Sequence, residues 1–129
     1  MRLNQVTLPM TDYAASVAFY MALGLKLIVE SPPRYARLEC PDSDGGEPAT
    51  LSVEFVEGWT GGDWPEVFLE VDDLDDVVVR LRNSGVTVSD PVDQSWLWRE
   101  AELRDPAGTR IKLYRAGGNR RFPPWRVGG

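Results

Sequence analysis

The sequence predicts an α+β protein made of two βαβββ modules, and three observations predict it. Short runs of alternating polar and apolar residues have the period of two that belongs to half-buried strands. Two longer segments carry apolar residues at helical spacing, each between an Asp-containing start and a glycine stop. The first strand and helix also return at a constant offset of 61 residues, which places Gln5 on Glu66, Asp12 on Asp73 and Gly24 on Gly85. Three landmarks registering at one shift, with the same order of elements around them, indicate an internal duplication.

Taken in order, Leu3 to Leu8 reads as a strand that Pro9 ends before the helix-capping pair Thr11-Asp12. A helix follows with Ala15, Ala18, Phe19 and Leu23 on one face and Gly24 as its left-handed stop. Leu25 to Glu30 alternates as a strand, Ser31-Pro32-Pro33 turns the chain, and Arg34 to Cys40 is the next strand. Pro41 to Pro48, with Gly45-Gly46, is a polar hairpin loop before the strand Thr50–Val56, and Gly58 to Trp64 is a linker. The pattern restarts with a strand at Glu66–Val71, the cap Asp72-Asp73 and a helical stripe of Leu74, Val77, Val78 and Leu81 closed by Asn83-Ser84-Gly85. Val86–Val88, Trp96–Leu103 and Arg110–Tyr114 supply three more strands, with a strong turn at Asp105-Pro106-Ala107-Gly108. The domain organisation expected is a single domain over 1–129, with module one at about 1–57, module two at about 64–115 and a C-terminal docking tail at 116–129.

Composition bounds the function. At 129 residues, 43% hydrophobic and 26% charged, the chain has the size and make-up of one globular domain. No run approaches the ~18–20 apolar residues of a bilayer span, and Met1-Arg2-Leu3-Asn4-Gln5 has neither the basic nor the apolar region of a secretory signal. The expectation is a cytoplasmic protein with no membrane partner. Cys40 is the single cysteine and histidine is absent, so an intrachain disulfide and every His-based triad or metal site are excluded. All 20 acidic residues lie in residues 1–105 with eight Lys+Arg, whereas residues 106–129 hold six Lys+Arg and no acid. An acidic body repels phosphate, so nucleic acid is not an expected partner, and the basic tail is expected to dock on its own body or on a second subunit. Phe122 and Trp125 in that tail are costly to leave in water, which also favours docking. Pro123-Pro124 and the double glycine argue against helix or strand there.

One βαβββ module offers too little core to stand alone, so the two are expected to pair as curled mixed sheets around a shared cleft. The architecture is similar to that of the vicinal oxygen chelate superfamily, which holds glyoxalase I, extradiol dioxygenases and the bleomycin- and fosfomycin-resistance proteins. The residues that carry the resemblance are Leu8-Pro9-Met10-Thr11-Asp12, Ser16 to Leu25, Leu69-Glu70-Val71-Asp72-Asp73-Leu74 and Asp105 to Tyr114, nearly the whole chain up to Tyr114. It implies the glyoxalase/bleomycin resistance fold and, from small members, a homodimer. It leaves the reaction open, because such members include lyases, isomerases, oxygenases and binders.

In metal-using members, four side chains from four strands hold a divalent ion, and the resemblance puts those positions at Gln5, Glu54, Glu66 and Lys112. Gln5, Glu54 and Glu66 suit an oxygen-ligated ion, whereas an ammonium at Lys112 has no lone pair to give and repels a dication. The first reading is therefore a metal-independent binder of a small organic molecule, with Lys112 neutralising Glu54 and Glu66. The second is a glyoxalase-like lyase or isomerase in which Gln5, Glu54 and Glu66 hold a divalent metal and a carboxylate moves the proton. If the protein is an enzyme, Glu54, Glu66 and Lys112 are the candidate catalytic residues. A dioxygenase is disfavoured because its iron site wants two histidines.

Gln5, Tyr35, Arg37, Trp96, Trp98, Arg99 and Tyr114 are the candidate ligand-binding residues, with Arg34 as a further orienting cation. Trp96 and Trp98 lie two apart and share a strand face, which suits either a stacking wall in the cleft or a dimer interface. Cys40 reads as a small buried hydrophobe.

Overall fold

The structure is a computed structural model that describes residues 1–41 and 46–128. Gly45 of the expected Pro41–Pro48 loop lies outside the described residues. The chain divides into two compact units, Met1–Asp63 with Asp105–Thr109, and Trp64–Arg104 with Arg110–Gly129. The turn that joins the last two strands therefore groups with the first unit.

The first unit holds β1 (Gln5–Met10), α1 (Tyr13–Ala22), β2 (Lys26–Ser31), β3 (Tyr35–Glu39) and β4 (Thr50–Phe55). Its sheet has the order β1-β4-β3-β2, with β1 parallel to β4 and the other pairs antiparallel. Leu8, Met10, Ala36, Leu38, Leu51 and Val53 form the buried face. The second unit holds β5 (Glu66–Glu70), α2 (Leu74–Asn83), β6 (Val92–Asp93), β7 (Arg99–Arg104) and β8 (Arg110–Arg115). Its order, β5-β8-β7-β6, repeats the first with the same parallel and antiparallel pairings. Leu74, Val78, Leu81, Ala101, Leu103, Ile111 and Leu113 are its core. The α+β fold of duplicated βαβββ units is thus as expected, and the two helices start and end 61 residues apart.

Several local expectations give way to tertiary context. Pro9 lies inside β1 instead of ending it, because β1 is an edge strand of its sheet and a proline there breaks no central ladder. The buried face of α1 is Ser16 and Tyr20, whereas Ala18 is exposed. Val86–Val88 forms no strand, and the short edge strand falls instead at Val92–Asp93. Strand β7 begins at Arg99, so Trp96 sits in a turn whose Leu97 takes a positive φ of 68°. The tail opens with a 3-10 turn, Gly117–Arg120, and Phe122 and Trp125 stay 67% and 56% exposed, so of the two dockings expected for them, the one on the chain's own body does not cover them. Arg126 stacks on the Phe122 ring at 4.4 Å. Cys40 is half-buried, and burial, then the neighbouring Glu39, pushes its thiol pKa up. Among the described residues no helix is long and apolar enough to cross a membrane.

Tyr20 is rotated inward by one contact. Its phenol donates to Asp105 Oδ2 at 2.5 Å, while Asp105 Oδ1 accepts from the backbone N–H groups of Ala107 and Thr109 at 3.0 and 2.9 Å. Burial, then the charge and hydrogen bond of Asp105, pushes the Tyr20 pKa strongly upward. Loss of that hydroxyl leaves a buried carboxylate short of one donor, so Tyr20→Phe is expected to cost about 1.5–3 kcal/mol in denaturant unfolding. The sign with pH is also fixed. A raised folded-state pKa means that stability is intact below the ordinary phenol value of 10.0 and falls above it. Tyr20→Phe should remove that share of the alkaline slope, up to about 1.4 kcal/mol per pH unit.

The two helix starts provide an internal control. Asp12 accepts from Ala15 N at 3.0 Å, whereas Asp73 makes no side-chain cap bond. Asp12→Ala should cost about 1 kcal/mol in the unfolding midpoint and Asp73→Ala a few tenths or less; equal losses would contradict the assignment.

Candidate functional site

In the first unit the register decides which side chains meet. Thr7 and Arg37 both pair across from Ser52, and Tyr35 pairs across from Glu54, so these residues share the face opposite the helix. Gln5 Nε2 donates to Ser52 Oγ at 3.1 Å and to Thr7 Oγ1 at 3.1 Å, and the Thr7 and Ser52 hydroxyls are 2.7 Å apart. The Tyr35 phenol oxygen accepts from Arg37 Nε at 3.1 Å and, at 3.5 Å, from Gln5 Nε2. Burial pushes the Tyr35 pKa up, but hydrogen bonds from Ser52, Arg37 and Gln5 and the guanidinium charge outweigh it, so the net shift is downward. Gln5, Tyr35 and Arg37 therefore come together as expected. Glu54 is exposed at the end of this face, and its carboxylate makes no ion pair among the described residues. Arg34, one residue out of phase with Tyr35, is absent from the network.

In the second unit the corresponding face is both charged and aromatic. Glu66 pairs with Arg110 at 3.1 Å, and Arg110 lies over the Trp64 ring at 5.6 Å. Lys112 Nζ sits 3.4 Å from Glu100 Oε1, while Glu100 Oε2 accepts from Trp96 Nε1 at 2.6 Å. The Glu100 side chain is only 3% exposed, so each of its oxygens needs a partner. Lys112 thus takes Glu100 as its partner and Glu66 takes Arg110, a correction to the expected neutralisation of Glu66 by Lys112. Beside them, Trp98 stacks on Tyr114 with centroids 4.4 Å apart and planes at 16°, and Phe68 meets both rings edge-on at 5.9 and 5.8 Å. Lys112 Nζ lies 5.5 Å from the Phe68 centroid.

The start of the tail closes one side of this group. Trp98 Nε1 donates to the Asn119 carbonyl at 2.9 Å, and Arg120 reaches Glu70 at 3.6 Å. Burial, then Glu70, raises the Tyr114 pKa, with Arg120 opposing. Arg99 lies apart from these residues, paired with Asp75 of α2 at 3.0 Å and Asp93 at 3.2 Å. Sequence reasoning missed Glu100, Phe68 and Asn119. Glu100 and Phe68 carried a usable signal, since Glu100 is two residues from Trp98 and Phe68 two residues from Glu66.

The repeat also relates positions in the two ladders. Thr7 pairs with Ser52, and 61 residues on Phe68 pairs with Lys112, so the counterpart of Lys112 is Ser52. Pro9 pairs with Glu54 as Glu70 pairs with Tyr114, which makes Tyr114 the counterpart of Glu54. Glu54 and Lys112 occupy equivalent strands but not equivalent positions.

Two open four-stranded mixed sheets with one strand order and two helices at one offset define a duplicated βαβββ protein. The chain belongs to the Glyoxalase/Bleomycin resistance protein/Dioxygenase superfamily, whose sequence model matches residues 2–113. Among solved structures it is similar to lactoylglutathione lyase from Agrobacterium tumefaciens at 18% identity and TM-score 0.70, over 88% of this chain and 92% of that one. It is similar also to a bleomycin-binding protein complexed with bleomycin, at 22% identity and TM-score 0.72, over 89% and 98% of the two chains. A bleomycin resistance determinant encoded on the transposon Tn5 gives 22% identity and TM-score 0.73 over the same shares. No curated protein sequence matches the chain. At these identities the solved structures establish the shared fold.

The Tyr35 network yields a titration. Its phenol should ionise below 10.0, read as the ultraviolet phenolate signal of wild type minus Tyr35→Phe, and Arg37→Met should move that titration upward. An unshifted midpoint in both proteins would show that the donors do not act on the phenol.

Proposed function

We propose that this chain binds a small, partly aromatic or amphipathic organic molecule on the aromatic sheet face of its second unit, without a divalent ion. The observation that carries the reading is Lys112 paired with Glu100 beside Phe68, Trp98 and Tyr114. Exposed ring surface on Phe68 and half-buried Trp98 suits a flat apolar group, and Lys112 at the rim suits a carbonyl or an anion. The bleomycin-binding relative supports the same class of ligand, because its fold is held in common.

The donor chemistry supports the metal-free half of the proposal. Of the positions at issue, Glu66 is engaged by Arg110, and Lys112 brings an ammonium. Glu54 is out of register with Lys112, and the counterpart of Lys112, Ser52, is a neutral hydroxyl bonded to Thr7. With the Lys112 ammonium and the Glu66–Arg110 pair among them, these residues do not fit a resident divalent cation, which needs several oxygen ligands free to turn to it. A lyase or isomerase step resting on such an ion at Gln5, Glu54 and Glu66 has no support here. The homodimer belongs to the same proposal, with light scattering as its readout.

Titration of intrinsic tryptophan fluorescence with bleomycin and with anilinonaphthalene sulfonate tests this reading. Saturable binding should persist in EDTA, and Trp98→Ala should weaken it about tenfold or more, the usual effect of removing an aromatic anchor. Binding that appears only with added Mg, Mn, Ni or Zn, or near-stoichiometric metal in the purified protein, would overturn it.

A further inference from the structure

The first unit holds a cavity of about 400 Å³ lined by Thr11, Tyr13, Pro33, Arg34, Phe55 and Glu57. It lies at the C-terminal ends of the parallel strands β1 and β4, where the chain enters α1. Arg34 and Phe55 are out of phase with Tyr35 and Ser52, so the cavity is separate from the polar network of that unit.

Its lining combines an apolar floor with two free opposite charges. Phe55 continues the phase of Leu51 and Val53, which are 2% and 0% exposed, yet Phe55 itself is 47% exposed. Pro33 and the ring of Tyr13 extend this apolar surface. The Arg34 guanidinium and the Glu57 carboxylate make no hydrogen bond or ion pair with another side chain among the described residues, nor with each other.

The fold does not demand this arrangement, because the second unit lacks it. There the counterpart of Tyr13 is Leu74, 1% exposed, and that of Phe55 is Arg115, a charged residue. The cavity is thus a feature of the first unit's own sequence.

We propose that this cavity binds a zwitterionic small molecule with an apolar side group, of the amino-acid class. The Arg34 fork takes the carboxylate. Glu57 takes the ammonium, and the apolar group covers Phe55 and Pro33. A simple anion is a poorer occupant, since Glu57 lines the cavity and Glu30 bonds the Tyr13 hydroxyl at 3.5 Å, within a chain of net charge −6. A simple cation loses Arg34 in the same way. The volume is at the small end for ligand sites, about the size for a free aromatic amino acid.

The test is calorimetric titration of the full chain with L-phenylalanine, with phenylpropionate and phenethylamine as probes that each lack one charge. L-Phenylalanine should bind saturably at about millimolar concentration or below, the scale for a ligand of this size, and both single-charge probes should bind more weakly. Arg34→Gln and Glu57→Gln should each weaken L-phenylalanine about fivefold or more, with thermal midpoints unchanged because both side chains are exposed. Trp98→Ala should leave it unaltered, which separates this site from the one proposed above. The proposal is overturned by absence of saturable binding up to the solubility limit, by affinity indifferent to both charge variants, or by phenylpropionate binding as tightly as the zwitterion. Affinity lost in Trp98→Ala and kept in Arg34→Gln and Glu57→Gln would overturn it too, placing the ligand on the second unit's aromatic face.

Discussion

The register of the two parallel strand pairs is the constraint on which the rest depends. With β1 set against β4 so that Thr7 meets Ser52, every even-numbered side chain of β4 falls on the polar face and every odd one on the helix-facing side. A slip by one residue would send Leu51 and Val53 into water and Ser52 into the core. The second unit obeys the same rule through Phe68 and Lys112. What differs between the units is the chemistry that this geometry displays: hydroxyls, an amide and a phenol in one, ion pairs and stacked rings in the other.

That difference follows from how each unit satisfies its polar groups. In the first, neutral donors and acceptors close on one another, with a single guanidinium turned to the Tyr35 oxygen, so no ion is desolvated at large cost. In the second, Glu100 is almost wholly buried, a placement that is costly unless every oxygen is engaged. Lys112 and Trp96 engage both oxygens. Lys112 therefore partners a buried carboxylate on the same face that carries the stacked rings. Removing either partner would strand the other charge.

The fold was legible in the sequence because its signals are local and repeated: alternation for strands, Asp starts and Gly stops for helices, and one offset that tied them together. The glycine stops illustrate why, since Gly24 and Gly85 take φ of 107° and 89° at the two helix ends, a conformation that other residues enter only with strain. Boundaries set by tertiary contacts were not legible. Tyr20, an aromatic residue expected in the core or an interface, is buried, but that it would be paired there with Ser16 in place of Ala18 and bonded to Asp105, far along the chain, is not local to α1. Pro9 is tolerated in β1 only because that strand is an edge, a property of the sheet order.

The candidate site was half legible for a related reason. The resemblance and the residue types put Gln5, Tyr35, Arg37, Trp98 and Tyr114 forward, and the structure sets them on two sheet faces, Gln5, Tyr35 and Arg37 on one and Trp98 and Tyr114 on the other. Pairing across strands is not a one-strand property, and so Lys112 was matched with Glu66 although a carboxylate on the neighbouring strand lay nearer. At Glu54 the family likeness and the repeat differ for the opposite reason: a Glu before an aromatic residue resembles a ligand position, while the repeat, followed through the ladder, makes Ser52 the counterpart of Lys112. In a duplicated fold the internal register is the stronger guide. It compares two copies built under the same geometry, whereas a motif compares residue letters whose strand positions can differ by two without any change of face.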